Sequence, residues 1–237
     1  MPELSVLIVG GSSGIGRACA EILALRGLAV TIAGRDAMRA RSAAVDVGLG
    51  TQARTVDATD DGAVAALFAT MPAPDHVVVS LAGGSAIGRF VDVDDAALRR
   101  SLETKFFAYL NVARHALRSL PPTGSLTFVT GVAGMRPAPG AACLAIANAA
   151  INGLAGTLAV EYAPIRVNVV APGTTDTPAW ARLPAEVRAT LFNDMASRTP
   201  LGRIAAPRDV AELVSVLIHH DFLTGTIIPC DGGARLM

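Results

Sequence analysis

The stretch that decides the fold is VGGSSGIG at residues 9–16, which lies between an apolar run and a helical pattern. Gly10 permits a tight turn, whereas Gly14 and Gly16 let the backbone approach a ligand and let a helix pack closely on a strand. An ordinary glycine turn is the alternative interpretation. The order strand, glycine loop, helix N-terminus favours a phosphate-binding loop. The residues predicted to meet the phosphates are Gly10, Ser12, Ser13, Gly14, Ile15 and Gly16.

Short β-branched runs alternate with longer helical patterns on either side of this loop. The predicted strands are 4–9, 28–33, 52–56, 76–81, 125–130, 165–170 and 225–229. The predicted helices are 14–26, 36–46, 60–70, 94–119, 141–162, 184–196 and 207–219. This alternation predicts right-handed crossovers and a parallel sheet covered on both faces. Because no repeat or long linker interrupts it, we predict one α/β domain over residues 1–237.

The end of the second predicted strand reads AGRD at residues 33–36. A dinucleotide fold that prefers NAD usually has an acidic residue there for the ribose 2′-OH, and this chain has Gly34 followed by Arg35. A guanidinium suits a 2′-phosphate, so NADP(H) is predicted, with an exposed surface arginine as the alternative. After the third strand, Asp57 is predicted to accept from the adenine amino group. A helix N-cap is an equally weighted alternative for Asp57.

Composition excludes several classes of partner. The formal net charge is zero with a pI near 6.9, and no basic run is present, so we expect neither nucleic-acid nor anionic-membrane binding. The three cysteines are far apart, which fits neither a disulfide framework nor a metal site and suits a reducing cytoplasm. The uncharged segment 141–160 is long enough to cross a bilayer. A helix buried in a core or a subunit interface is the favoured interpretation.

Further segments carry a resemblance to the short-chain dehydrogenase/reductase family along nearly the whole chain. The glycine loop corresponds to the family's T-G-x-x-x-G-x-G, with Val9 in place of threonine. The remaining segments are SLAG at 80–83, IRVNVVAPGTTDT at 165–177 and TGTIIPCDGG at 224–233. The resemblance implies a doubly wound, Rossmann-type sheet of seven parallel strands flanked by helices, with a nicotinamide cofactor across the strand ends. It also implies cofactor contacts for Ala82, Gly83, Pro172, Gly173 and Thr177.

The resemblance further implies that residues 174–200 form a segment that covers the substrate. Its large apolar side chains either line an apolar pocket or simply pack a surface helix. These side chains are Trp180, Leu183, Phe192 and Met195. In the loop after the fifth strand, Arg136 is interpreted as facing solvent rather than substrate.

The family's catalytic positions are the most unusual feature of the sequence. The family uses a tyrosine as general acid/base, a lysine four residues later, a serine 13 residues earlier and an asparagine on the fourth helix. Aligned through GAACLAIANAAINGLAG at 140–156, the tyrosine and lysine positions hold Leu144 and Asn148. The serine position holds Gly131, and the asparagine position holds Lys105. Leucine and glycine carry no proton to donate, so the family's mechanism cannot be carried over to these residues.

Lys105 is the only lysine of the chain and is the candidate catalytic residue, with an ordinary surface lysine as the alternative. Tyr109, one turn later, is interpreted as a packed helix aromatic rather than a proton donor. Asn148 is expected to reach a ribose hydroxyl. Two functions stay open: an NADP(H)-dependent oxidoreductase acting on a carbonyl or alcohol, and a catalytically silent NADP(H)-binding sensor or partner subunit. The resemblance also implies a homodimer or homotetramer formed through helices near 94–119 and 141–162.

Overall fold

A computed structural model describes residues 4–83 and 86–237. It contains a seven-stranded, entirely parallel sheet in the order β3-β2-β1-β4-β5-β6-β7, flanked by helices, which confirms the predicted doubly wound α/β fold. The strands are β1 Ser5–Val9, β2 Ala29–Gly34, β3 Gln52–Thr55, β4 His76–Val79, β5 Ser125–Val129, β6 Arg166–Pro172 and β7 Ile227–Cys230. The α-helices are α1 Gly14–Leu25, α2 Ala37–Val47, α3 Asp61–Thr70, α4 Asp95–Leu102, α5 Ala108–Ser119, α6 Ala142–Glu161, α7 Ala185–Ser197 and α8 Pro207–His219.

The sheet is buried on both faces. Ile8 in β1 pairs with Ile32 of β2 on one side and with Val78 of β4 on the other. Successive strand residues point to opposite faces, so Leu7 and Ile8 enter separate core clusters. One cluster is covered by α3, α5 and α6, and the other by α1, α2 and α8. Double burial explains why the strands read as nearly continuous apolar runs.

The strand order places the candidate site. β1 lies between β2 and β4, so the chain leaves β1 towards one side of the sheet and later returns to its other side. In an open parallel sheet, the crevice at the carboxyl ends of the strands at such a switch point is the usual ligand position. The glycine loop follows β1 directly and therefore lies at the mouth of this crevice.

The predicted helix 94–119 is not uniform. It runs as α4, then a π-helical turn at Glu103–Phe107, then α5. The wider turn lies where the chain passes Gly83, at which an added Cβ would come within 2.8 Å of the Cβ of Lys105. Such π-bulges recur at functional sites, and this one contains the candidate catalytic lysine.

Helix α6 is the one helix of the described residues whose length and apolar composition match a membrane span, with a mean hydropathy of 1.6. One face of it is packed: Ile151 and Ala155 are buried in the core cluster that includes strand residues of β6. The opposite face exposes Ile146, Gly153 and Val160. A buried core helix passes the same length and composition test, and burial of one full face fits that interpretation.

Candidate active site

A cleft of about 650 Å³ opens at the carboxyl ends of the central strands. It is lined from β1, β2 and β4 on one side and by α5 and the segment after β6 on the other. The predicted site residues that line it are Gly10, Ser12, Ser13, Gly14, Ile15, Arg35, Asp57, Ala82, Lys105 and Thr177. One cavity thus brings together residues spread over most of the sequence.

The glycine loop provides an anion cradle at the cleft floor. Gly10 has φ +92°, and an added Cβ would lie 2.2 Å from the main-chain oxygen of Ser80, so only glycine fits. Ser13 is the N-cap of α1, but its side chain makes no cap hydrogen bond. The first turn of α1 contains no acidic residue. The N–H groups at this helix end are therefore available to phosphate oxygens, and the residues present fit a dinucleotide pyrophosphate.

Two arginines, Arg35 and Arg39, line the cleft next to the end of β2. Arg35 was predicted there, and Arg39 lines the cleft from the first turn of α2. Asp36 caps this helix by accepting from the main-chain N–H of Arg39. Neither guanidinium takes part in the ion pairs that the structure shows within its described residues. An added Cβ at Gly34 would lie 3.2 Å from the Ser12 hydroxyl oxygen, so an acidic side chain would be crowded there.

Asp57 lines the cleft, and the alternative interpretation of Asp57 as a helix N-cap is wrong. The cap of α3 is Asp60, which accepts from the Ala63 N–H. One Asp57 carboxylate oxygen instead accepts from both the N–H and the hydroxyl of Thr59. These two hydrogen bonds lower the pKa of Asp57, so it stays an acceptor at neutral pH.

Lys105 is buried, with 5% of its surface exposed, so the surface-lysine alternative is wrong. Its Nζ donates to the main-chain oxygen of Thr130 at 3.2 Å and lies 5.6 Å from the ring centre of Tyr109. Burial lowers the pKa of Lys105 to about 8. The ammonium has further N–H donors besides the one bonded to Thr130, and the side chain lines the cleft.

Tyr109 is a packed aromatic, as interpreted from the sequence. Its ring lies against Phe128 with the two centroids 5.7 Å apart. Its hydroxyl donates to the main-chain oxygen of Val129 and accepts from the N–H of Leu81. Burial raises the pKa of Tyr109 far above neutrality. Its hydroxyl is therefore committed to holding β4 and β5 in place and does not exchange a proton near pH 7.

Asn148 lies beneath the loop after β5 rather than in the cleft lining. It is 3% exposed, and its Oδ1 has no hydrogen-bond partner among the described residues. Its Nδ2 lies 3.0 Å from where a Cβ would sit on Gly131. One helical turn later, Asn152 accepts through Oδ1 from the Thr130 hydroxyl. Thr130 lies just beyond β5, which ends at Val129.

Other predicted cofactor residues also lie outside the cleft lining, and the glycines among them allow close packing. Gly16 packs α1 against the loop, since an added Cβ would lie 2.2 Å from the Gly10 oxygen. Gly83 packs against the π-helical turn. Gly173, after Pro172 at the end of β6, lies against the backbone of Asp231. Their contribution to a cofactor site is to let these elements approach one another.

The segment 174–200 borders both this cleft and a second one. Thr177 and the two residues after it line the cofactor cleft. Trp180 donates to the Thr175 oxygen and meets Phe192 edge to face, so these two rings pack on each other. Met195 lines the second cleft, of about 950 Å³, at the ends of β6 and β7. Arg136 also lines the second cleft and is partly exposed.

Within residues 4–83 and 86–237, no group of three or more His, Cys, Asp or Glu side chains is arranged to hold a metal ion. The cysteines are unpaired, with Cys19 and Cys143 buried and Cys230 half-buried.

Comparison with known proteins agrees with the fold. A family model described as enoyl-(acyl carrier protein) reductase matches residues 9–235. The chain belongs to the short-chain dehydrogenase/reductase family and is an oxidoreductase of that type.

Individual relatives span nearly the same length. The cis-4-hydroxycyclohexanecarboxylate dehydrogenase of Sinomonas cyclohexanicum is 36% identical, covering 98% of this chain and 96% of the relative. The 3-oxoacyl-[acyl-carrier-protein] reductase of Bos taurus is 30% identical, covering 97% of each. A crystal structure of a small-chain dehydrogenase in complex with NADPH superposes with a TM-score of 0.86 at 30% identity, covering 99% of this chain and 100% of that one.

Proposed function

We propose that this protein is an NADP(H)-dependent oxidoreductase that interconverts a carbonyl compound and an alcohol in a non-standard active site. The observation that carries the proposal is the buried Lys105, whose ammonium lies in the same cleft as the glycine loop and Thr177. The NADPH-bound structural relative supports the choice of cofactor.

The cofactor preference rests on the adenosine end of the cleft. The 2′-phosphate of NADP(H) would lie between the guanidinium groups of Arg35 and Arg39, and the pyrophosphate at the start of α1. Asp57 would accept from the adenine amino group, and Thr177 would lie near the nicotinamide carboxamide. We expect NADPH to bind at least about tenfold more tightly than NADH, which is about 1.4 kcal/mol.

The proposed active site departs from the family pattern at four positions. Leu144 and Gly131 carry no ionisable or hydrogen-bonding side chain, and Asn148 carries no charge that would lower the pKa of a neighbour. Among these four positions, Lys105 alone has an ionisable side chain. Helix α6 in this proposal keeps its packing role and has lost its catalytic one.

Lys105 acts on the oxygen of the substrate. A bound nicotinamide supplies or accepts the hydride. In reduction, the protonated Nζ stabilises the alkoxide that develops on the carbonyl oxygen and donates its proton to it. In oxidation, the neutral amine accepts the hydroxyl proton. A pKa near 8 allows both protonation states close to neutral pH. The Thr130 oxygen orients the amine by accepting one of its hydrogens.

Cofactor titration and turnover together test the function. Calorimetry with NADPH and NADH measures the preference, and turnover is followed with a panel of ketones, aldehydes and secondary alcohols. Tight NADPH binding with turnover supports the enzyme. Tight binding without turnover over the whole panel supports the silent sensor or partner subunit. Equal affinities for the two cofactors contradict the role of the arginine pair.

Assembly is a separate part of the proposal. We expect a homodimer or homotetramer formed through the helices near 94–119 and 141–162, in a cytoplasmic protein. The exposed faces support this, because Phe107, Ile146 and Val160 are 43%, 41% and 80% exposed. Association would remove this apolar surface from water. Light scattering should give a multiple of 24.2 kDa, and Ile146→Glu should shift the mass towards the monomer. A wild-type monomer at micromolar concentration would contradict the proposal.

A further inference from the structure

The loop between β3 and α3 carries Asp57 and is bonded to a helix that is distant in sequence. Residues 56–59 of this loop line the cofactor cleft. The loop is fixed at its start, where the Val56 N–H donates to the last residue of β2, and at its end, where Asp60 caps α3. Between these two points its main chain accepts hydrogen bonds from Asn111, on α5.

Asn111 is buried, with 8% of its surface exposed, and its side-chain amide points at the loop. Its Nδ2 donates to the main-chain oxygen of Ala58 at 3.1 Å and to that of Thr59 at 3.4 Å. Both acceptors are carbonyl oxygens, so the nitrogen of the amide must face them. Asn111 does not itself line the cleft, so its effect on a bound ligand passes through the loop.

A second pair of hydrogen bonds joins the loop main chain to Asp57. One Asp57 carboxylate oxygen accepts from the N–H of Thr59 at 3.0 Å and from its hydroxyl at 2.8 Å. Asn111 thus holds the residue that orients the carboxylate proposed to accept from the adenine amino group. We infer that Asn111 is a positioning residue for the adenine end of the cofactor, acting through Thr59 on Asp57. This role rests on the proposed function, which supplies the cofactor.

The substitution Asn111→Leu removes the donor and keeps most of the volume. Leucine can stay buried at this position, but it has no N–H to donate. The oxygen of Ala58, a residue that is 5% exposed, would lose this partner inside the protein, which favours a shift of the loop towards water. Even a small shift matters for the ligand, because hydrogen bonds weaken steeply as their distance and angle depart from the optimum.

Titration calorimetry with NADPH, NADH and 5′-AMP tests the role without turnover. Asn111→Leu should weaken the binding of all three ligands by the same factor, about five- to tenfold, because all three contain adenine. The ratio of the NADPH and NADH affinities should not change, since Arg35 and Arg39 are untouched. Asn111→Gln, which keeps an amide donor, should retain part of the affinity.

A double-mutant cycle separates positioning from a general loss of stability. In Asp57→Ala the carboxylate is absent, so the further change Asn111→Leu should weaken NADPH binding less than twofold. Asn168→Leu is the matched control. Asn168 is also buried, and its Nδ2 donates to the main-chain oxygen of Leu223 at 2.8 Å, outside the cofactor cleft. The folded Asn168→Leu protein should keep the wild-type affinity for 5′-AMP, whatever its stability in urea.

Three results would overturn the positioning role and leave the proposed cofactor intact. They are unchanged affinities in Asn111→Leu, additive effects of Asn111→Leu and Asp57→Ala, and an equal loss of 5′-AMP affinity in Asn168→Leu. A wild-type protein that binds none of the three ligands would instead overturn the proposed function, and the role of Asn111 with it.

Discussion

Replacing Lys105 by methionine should make the protein more stable and less active. Burial lowers the pKa of Lys105 from 10.5 to about 8, and a fall of roughly 2.5 corresponds to about 3 kcal/mol against the charged form in the folded state. Lys105→Met removes this cost and also removes the hydrogen bond to Thr130, worth about 1 kcal/mol. The net gain is about 2 kcal/mol at pH 7, or roughly 4–8 °C in Tm for a chain of this size.

The pH dependence has a definite sign. Below pH 8 the lysine is charged in both the folded and unfolded states, so the wild type carries the whole penalty. Between about pH 8 and 10.5 the folded state has lost the proton while the unfolded state keeps it, so wild-type stability rises relative to the variant. Urea unfolding of the cofactor-free proteins measures the free energy of unfolding at pH 7 and pH 9.5. The excess of the variant over the wild type should be smaller at pH 9.5 by about 2 kcal/mol.

Activity should change in the opposite direction. With a substrate that turns over, kcat should fall about 100-fold in Lys105→Met, the usual scale for a positioned acid or base, while the Kd of NADPH changes little. Wild-type reduction should decline as pH rises through about 8, and alcohol oxidation should rise over the same range. Full activity in the variant, or a stability difference that does not depend on pH, would refute the reasoning.

Two further predictions concern the cofactor and the amino-terminal end of the central strand β4. Arg35→Ala and Arg39→Ala should each weaken NADPH binding about tenfold and leave NADH binding unchanged. Arg41→Ala, on the same helix as Arg39, is the control. Calorimetry measures both affinities, and equal losses for the two cofactors would contradict the prediction. His76 is buried and bonded to Ser125 at 2.9 Å, and burial, with the charge of Arg166 adding to it, lowers its pKa from 6.5 to about 4. Stability should therefore be lost as pH falls from 6.5 towards 4, because the unfolded chain binds the proton first. Between pH 6.5 and pH 4, the urea midpoint of His76→Gln should decline less than that of the wild type. Equal declines in the two proteins would contradict the role of His76.

The fold was predictable because its signals are local and repeated. The apolar runs that became β1, β4 and β6 are buried on both faces, and each predicted boundary falls within two or three residues of the structure. The signal of the glycine loop is also local. Gly10 is required because an added Cβ would meet the main-chain oxygen of Ser80, just after the neighbouring strand β4. Periodicity and turn chemistry therefore carry enough information for the architecture.

The candidate site was only partly predictable, because its important contacts join distant segments. The sequence did not decide whether Lys105 is a surface residue or a cleft residue. Its burial follows from the packing of the π-helical turn against Gly83. The role of Arg39 depends on where α2 begins relative to the cleft. Such contacts are set by tertiary structure and leave no periodic trace in the sequence.

The contact that a side chain at Gly131 would make with Asn148 predicts that the family's serine cannot be restored without cost while Asn148 is in place. Gly131 has φ 165°, an extended backbone that any residue adopts, so only side-chain contact decides what fits there. An added Cβ would lie 3.0 Å from the Nδ2 of Asn148, and a serine hydroxyl would add a further atom beside that amide. Gly131→Ser should therefore destabilise the protein by about 1–2 kcal/mol, the usual scale for overpacking.

In Gly131→Ser combined with Asn148→Ala, the amide that meets the new side chain is absent. A double-mutant cycle by urea unfolding should accordingly show a coupling of about 1 kcal/mol between the two positions. Gly153→Ala on α6 is the control, because no atom lies within 4 Å of an added Cβ and helix propensity should make it neutral or stabilising. Additive effects in the cycle would mean that the Asn148 amide moves aside for the serine without a cost in stability. In that case the loss of the family's serine and lysine positions would be two independent changes rather than one packed substitution.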